Sequence, residues 1–372
     1  MSNIVFIPFP ETGHLNPTFK IARSLKERGH NVYYLGLLDF EDYVRRQDFE
    51  YLPLFESLCP KGFIEEYAVK NNLDNFKAIL QRAMTTRQPL NLPRDLSLIM
   101  QRVRADLLII DLLLTDIAYS VEPSGVPFIL LNTQLFNPWV EEAEGYRKLS
   151  DKTELILCPR EFEFPDARRR KGSHYVEASI DLSRGDANFP WERVDERKPL
   201  IYCSFGSQSH LIEGSQRFFQ TVVDTFAAKP DWQLILSYGS VNIEELRGVP
   251  DNAVLVKSVP QLDVLQKASM MITHGGFNSV KECIYFGVPM ILFSLIRDQP
   301  AISARAVYHG LGVMGDIHEA TPEHIQSLID RVFQDPAFKA RLTAMSSIFR
   351  EYEEASHAVG VIEKVLHSPT TA

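Results

Sequence analysis

The feature that most restricts the fold is a rhythm that runs twice through the 372 residues. Short, nearly continuous apolar runs of strand length alternate with segments of helical periodicity. "NIVFIPF", "NVYYLGL", "ADLLIID" and "PFILLN" carry the rhythm in the first half. "SRGDANFPWERVDERKP", residues 183–199, breaks it with charge, glycine and proline. It then restarts with "LIYCSFGS", "WQLILSYG", "AVLVKSV", "SMMITHG" and "PMILFSL". A strand that is apolar along its whole length has to be covered on both faces, which calls for a parallel sheet with helices on each side. The chain therefore reads as α/β, with two Rossmann-like doubly wound parallel-sheet domains facing across a cleft. Residues 1–182 are expected to form the first domain, 183–199 the linker and 200–350 the second domain. Residues 351–372 are expected as a C-terminal helix packing back toward the first domain, in a stretch that is helical throughout from about 337 to 366. The first helix is expected to begin near Asn16-Pro17, a favourable N-cap and first-turn pair.

Composition enters as a set of exclusions. With 45% hydrophobic and 23% charged residues the chain can bury two ordinary cores. A net charge of -9 argues against a nucleic-acid partner, which calls for a basic face. Cys59, Cys158, Cys203 and Cys283 show no paired spacing, as expected of reduced thiols rather than a disulfide framework or a zinc site. No apolar run approaches the roughly 20 residues of a membrane-spanning helix, and the N-terminus lacks a basic leader and a small-residue cleavage site. A cytoplasmic location is expected. Residues 61–104 carry eight Lys/Arg against four Asp/Glu. This reads first as a solvated helix face, with a peripheral membrane contact as the alternative. "RRRK", residues 168–171, reads as a solvated loop.

Doubly wound sheets bind ligands at the carboxyl ends of their strands. The stretch "MMITHGGFNSVKECIYFGVPM", residues 270–290, ends a buried strand in His274, Gly275 and Gly276 and opens a helix at once. Backbone N–H groups and the dipole at that helix start make an anion site, and the glycines let a phosphate approach the backbone. His274, Asn278 and Ser279 add side-chain donors, and Glu282, one turn on, suits two ribose hydroxyls. The pattern is that of a nucleotide diphosphate site. In the first half, His14 follows the first strand in a loop with Gly13, and Asp111 ends a strand that would lie beside it. A histidine near its ordinary pKa is a suitable base for a hydroxyl, and a carboxylate fixes its tautomer and stabilises the imidazolium. The plainer alternative has His14 capping a turn and Asp111 capping the next helix. Asp116 competes with Asp111 but sits a turn into the helix. "GLGVMG", residues 310–315, satisfies the spacing of a dinucleotide fingerprint, yet a helix precedes it where a strand is required, and no helix follows directly. Its glycines are expected to end one helix and lead into a short strand. No metal-ligand cluster, P-loop or nucleophile elbow stands out.

"VPQLDVL…THGGFNSVKE…GVP…RDQ", across residues 258–299, resembles the donor-binding signature of the family 1 glycosyltransferases, nucleotide-sugar-dependent enzymes of GT-B fold. "GHLNP", "DLLIIDLLLTD" and "SFGS" extend the resemblance over nearly the whole chain. It implies that His14 is the catalytic base with Asp111 as its partner, that Gln261 contacts the nucleoside and that Glu282 holds the ribose. His274, Gly275, Gly276, Asn278, Ser279, Gly206 and Ser207 would receive the diphosphate, and Asp298 and Gln299 the hydroxyls of the donor sugar. Ser258 and Val259 complete the donor set. Ser258 stands where plant members carry a base-stacking tryptophan, so the base is left open between uridine and thymidine, with a UDP-sugar favoured. The implied reaction is an inverting transfer to a hydroxyl of a small apolar acceptor, a natural product, polyketide, flavonoid or carotenoid-like compound. The nucleotide sugar is a co-substrate, and neither cofactor nor metal is expected. "GLLDFEDYVRRQDFEYLPL" is similar to bacterial members acting on apolar natural products such as carotenoids. A nucleotide-sugar 2-epimerase of the same fold and a non-catalytic partner protein are the alternatives. The oligomeric state is left open.

Overall fold

The structure is a computed structural model that describes residues 1–66, 79, 82, 91–135, 148–167, 170–184, 188–206, 209 and 214–368. Two compact units divide the chain. Unit 1 comprises Met1–Leu157, Arg168–Asp181 and Ser356–Ala372, and unit 2 comprises Cys158–Ala167 and Leu182–Ala355.

Among the described residues, unit 1 holds a sheet of strands β1 (Asn3–Ile7), β2 (Asn31–Gly36), β3 (Glu50–Pro53), β4 (Leu107–Asp111), β5 (Phe128–Asn132), β6 (Glu154–Ile156) and β7 (Ser173–Tyr175). Their order is β3-β2-β1-β4-β5-β6-β7, and every pairing is parallel. Side chains alternate between the two faces of a strand, so β1 serves two cores. Ile4 and Phe6 join Phe19, Tyr34, Leu107 and Ile109, while Val5 and Ile7 join Leu108, Ile110, Leu96 and Ile117. The covering helices are α1 (Thr12–Glu27), α2 (Glu41–Arg45), α3 (Leu92–Val103) and α4 (Thr115–Val121).

Helix α1 starts earlier than the Asn16-Pro17 pair suggests. Glu11 is its N-cap, with the Leu15 N–H donating to the Glu11 carbonyl at 3.1 Å, and Pro17 lies inside the helix. A proline in the second turn removes only its own N–H donor to Gly13, which a helix anchored by buried Leu15, Phe19, Ala22 and Leu25 tolerates. The shift matters for the site, since it puts His14 in the first helical turn and not in a loop ahead of it. Asn16, freed from capping, accepts a hydrogen bond from Tyr43.

Unit 2 repeats the winding. Strands β8 (Leu200–Ser204), β9 (Gln233–Ser237), β10 (Ala253–Val256), β11 (Met270–Thr273), β12 (Met290–Leu292) and β13 (Gly312–Met314) lie in the order β10-β9-β8-β11-β12-β13, again parallel throughout. Its helices are α5 (Ser215–Ala227), α6 (Gln261–Lys267), α7 (Phe277–Phe286), α8 (Gln299–Tyr308), α9 (Pro322–Gln334) and α10 (Pro336–Ala355). In "GLGVMG", Gly310 adopts a left-handed φ of 65° just beyond α8, and Gly312 opens β13. The next helix waits for the N-cap at Thr321, whose hydroxyl accepts from the His324 N–H. The segment 183–199 groups with this unit, its Trp191 packed edge-on to Phe189 with the Lys267 ammonium over the indole.

Two joints depart from the simple division by sequence. Cys158–Ala167 sits with unit 2 although the chain on either side belongs to unit 1. Its Phe162 stacks on Phe277 and His309 and meets the edge of Phe349, and Glu163 accepts from Arg305 in a buried ion pair. The C-terminal stretch is not one helix. Ser356 takes a left-handed φ of 49°, which a right-handed helix cannot contain, and splits α10 from α11 (His357–His367). Ala358, Val359 and Ile362 of α11 enter the unit 1 core, and the Ala358 N–H donates to buried Glu177 at 3.0 Å.

Candidate active site

In each sheet the winding reverses beside its first strand, and ligands of such sheets bind at the carboxyl ends flanking that reversal. In unit 1 these are the ends of β1 and β4. The chain leaving β1 turns into α1 and delivers His14, and β4 ends in Asp111. His14 Nδ1 lies 2.8 Å from Asp111 Oδ2, both side chains buried. The other carboxylate oxygen accepts the Leu113 N–H at 3.0 Å, which fixes the rotation of the group. A carboxylate accepts only, so the imidazole carries its proton on Nδ1 and leaves the Nε2 lone pair as the basic position. Asp116 is exposed in the first turn of α4 and so is not the carboxylate on this histidine.

Polar atoms of Thr133 and Gln134 also face the imidazole. Thr133 Oγ1 lies 2.9 Å from Nδ1, and Gln134 Nε2 lies 3.4 Å from Nε2. Both follow β5, the strand next to β4. "NTQ" at the end of "PFILLN" was open to the same strand-end argument that singles out Asp111, but carries no charge to draw notice.

In unit 2 the reversal lies between β8 and β11. Gly206 follows β8 with φ 72°, and a Cβ there would stand 2.8 Å from the His274 ring. His274 follows β11. Burial pushes its pKa down to about 4, against a smaller opposing effect of the Ser204 backbone, so the imidazole is a neutral donor at pH 7. Gly275, at φ 81°, packs so closely on the Ser294 and Ser303 hydroxyls that any Cβ would collide with them. Gly276 is the N-cap of α7 and, being glycine, makes no side-chain capping bond. Asn278 and Ser279, both half-buried, lie in the first turn that follows.

Ser279 is drawn into a second cluster. Gln261, at the start of α6, donates from Nε2 to Ser279 Oγ at 3.2 Å and to Glu282 Oε2, and its Oε1 accepts from Tyr202 Oη at 2.9 Å. Arg184 Nη1 reaches the other Glu282 oxygen at 3.3 Å. Gln261 and Glu282 thus form one network, with Tyr202 and Arg184 as members that the sequence pattern did not reveal. Burial keeps the Tyr202 hydroxyl protonated, as a donor must be. Exposed Ser258 and half-buried Val259 precede α6 in the connection from β10. Asp298 is the N-cap of α8 without a side-chain capping bond. Buried Gln299 spends its Oε1 on the Leu295 and Ile296 N–H groups, at 3.3 and 3.2 Å. Ser207 lies outside the described residues.

Two parallel sheets wound alike, each with a polar cluster at its point of reversal, are the architecture of the GT-B fold. Solved structures of that fold match end to end. The glycotransferase of kitacinnamycin aligns with a TM-score of 0.78 at 25% identity over 98% of each chain. The glycosyltransferase VinC in complex with dTDP aligns at 0.73 and 17% identity, over 98% of this chain and 99% of its own. Residues 198–367 match the family described as UDP-glucoronosyl and UDP-glucosyl transferase. NDP-glycosyltransferase YjiC of Bacillus subtilis (strain 168) is 25% identical over 391 residues, 97% of this chain and 96% of its own. Demethyllactenocin mycarosyltransferase of Streptomyces fradiae is 24% identical over 406 residues, 98% of this chain and 87% of its own. The chain is thus similar to family 1 glycosyltransferases, enzymes of bacterial natural-product type among them.

Proposed function

We propose that the protein transfers a sugar from a nucleoside diphosphate, a UDP-sugar by preference, to a hydroxyl of a small apolar acceptor, with inversion at the anomeric carbon. The observation that carries this reading is the buried His14–Asp111 pair, whose 2.8 Å contact leaves Nε2 as the base. In the reaction Nε2 takes the acceptor proton while Asp111 stabilises the imidazolium. The acceptor oxygen bonds to the anomeric carbon as the bond from that carbon to the diphosphate oxygen breaks. One displacement inverts the centre. Charge gathers on the leaving diphosphate, and the donors suited to it are the N-terminal N–H groups of α7, the neutral His274, Asn278, Ser279 and the backbone at Gly206. Such a donor set provides the stabilisation that a divalent cation provides elsewhere, so we expect the reaction to need no metal. Gln261 and Glu282 are assigned to the nucleoside and its ribose hydroxyls, Ser258 and Val259 to the base end of the donor, and Asp298 and Gln299 to the donor sugar.

The names of relatives support an acceptor of natural-product kind, one being a demethyllactenocin mycarosyltransferase and another an oleandomycin glycosyltransferase. Among the described residues no helix is long and apolar enough to cross a membrane. The four cysteines are free and buried, which suits a reducing, cytoplasmic compartment. The test is to run the reaction from an α-linked donor in excess EDTA and read the anomeric proton coupling of the product. A β-linked product at undiminished rate is expected. Loss of activity in EDTA, or an α-linked product, defeats the mechanism.

A further inference from the structure

We propose that Gln134 is a displaceable cap on the base: its carboxamide N–H occupies His14 Nε2 until an acceptor hydroxyl takes that position, which keeps water from being activated in its place. The inference rests on His14 being the base. Nδ1 is engaged by Asp111 and Thr133, so Nε2 alone can receive a proton, and Gln134 Nε2 stands 3.4 Å from it. A carboxamide nitrogen only donates, which matches the lone pair that the Asp111 contact leaves on Nε2. At 3.4 Å the bond is at the weak end of the range. An incoming alcohol, donating at a shorter distance, replaces it readily.

Gln134 is held in place by a chain of contacts that the transfer chemistry itself does not use. Its backbone N–H donates to Asn132 Oδ1 at 3.0 Å. The Asn132 amide donates to Glu154 Oε1 at 2.8 Å, and the other oxygen of Glu154 accepts from Ser173 at 2.7 Å and Arg170 at 3.2 Å. Glu154 is buried on β6, where a carboxyl group needs the charged and polar partners that surround it. Directly after Gln134, buried Leu135 adopts a left-handed φ of 61°. A branched residue rarely takes that conformation, so the backbone here is held by its surroundings.

The cap matters because water is a competing acceptor. In hydrolysis a water proton passes to Nε2, the water oxygen bonds to the anomeric carbon and the bond to the diphosphate breaks, which yields free sugar and nucleoside diphosphate. A capped Nε2 is denied to a lone water, while an acceptor bound by its apolar body presents its hydroxyl at high effective concentration.

Gln134→Met keeps the length of the side chain and removes the donor, and Gln134→Asn keeps the amide but shortens its reach. Free sugar released without acceptor, relative to glycoside formed at saturating acceptor, is expected to rise about fivefold in both variants, the worth of one neutral hydrogen bond. A second readout needs no sugar. Long-range proton–nitrogen NMR on the ring of His14, assigned by its loss in His14→Asn, should show the Nε2 resonance shifted in both variants and Nε2 protonated in Gln134→Glu, whose carboxylate accepts. An unchanged hydrolysis ratio together with an unmoved Nε2 resonance overturns the cap. Failure of the base assignment appears separately, as transfer that survives His14→Asn.

Discussion

His14 and His274 stand on opposite flanks of the reversal in two sheets wound in the same order, and their surroundings differ in kind. His14 follows the first strand of unit 1 and His274 follows β11 of unit 2, each at the reversal of a parallel sheet wound in the same order. Behind His14 stands a buried carboxylate at 2.8 Å. Around His274 stand Gly206 and Gly276, whose missing side chains let the ring and the backbone close together. The first environment supports a positive charge on the imidazole, and the second suppresses one, with the pKa pushed down to about 4. Winding decides where a site can form, while the neighbours within a few ångströms decide which charge state of an imidazole is favoured there.

The largest effect expected from breaking the contrast is at His14. His14→Ala should lower transfer by about 10²–10⁴-fold, the usual cost of losing a general base, with nucleoside diphosphate affinity nearly unchanged because His14 belongs to unit 1. Substantial remaining turnover would end its assignment as base. On the other side of the comparison, Glu282→Ala should weaken nucleoside diphosphate binding by roughly 1–3 kcal/mol through loss of charged hydrogen bonds to the ribose. Titration calorimetry that returns the wild-type dissociation constant would remove Glu282 from the donor site.

Gly275→Ala tests the backbone rather than a functional group. It forces a side chain into the left-handed region and against Ser303 and Ser294, which should cost roughly 1–3 kcal/mol of stability. A denaturation curve superimposable on that of the wild type would show that the loop is not fixed as described.

The smallest effect concerns pH. Unfolded, His274 titrates near its ordinary value of about 6.5; folded, burial holds it near 4. As pH falls the unfolded chain takes up the proton first, so the contribution of His274 is fully present above the unfolded value and is lost progressively toward the folded one. His274→Gln should therefore flatten the fall in urea midpoint between neutral pH and pH 4.5. An identical slope in the two proteins would mean that the ring is not desolvated.

Much of this was legible in the sequence because burial leaves a linear trace. Strands such as β4 and β5 are buried at every residue and therefore apolar at every residue, apart from the polar groups with which they end. A polar residue at such an end stands out, as Asp111 does. Thr133 and Gln134 end the neighbouring segment with uncharged groups, and only the pairing of β5 beside β4 brings them to His14. Arg184 sits in a stretch that reads as linker, and nothing local announces its contact with Glu282, 98 residues away. The start of α1 was misleading for a related reason. Asn16-Pro17 has the chemistry of a helix start, but packing of the residues before it extends the helix back to Thr12.

The amino-acid pattern by itself determined the two α/β sheets, the strand ends at which chemistry collects and the residue types gathered there, because strand burial and helix initiation depend on neighbours within a few positions. Tertiary structure alone decided that Cys158–Ala167 joins unit 2, that Ser356 breaks the last helix, and which groups meet at each imidazole. Those outcomes depend on contacts between segments up to 335 residues apart, as in the Arg28–Glu363 pair, and on backbone conformations held against local preference by the packing around them.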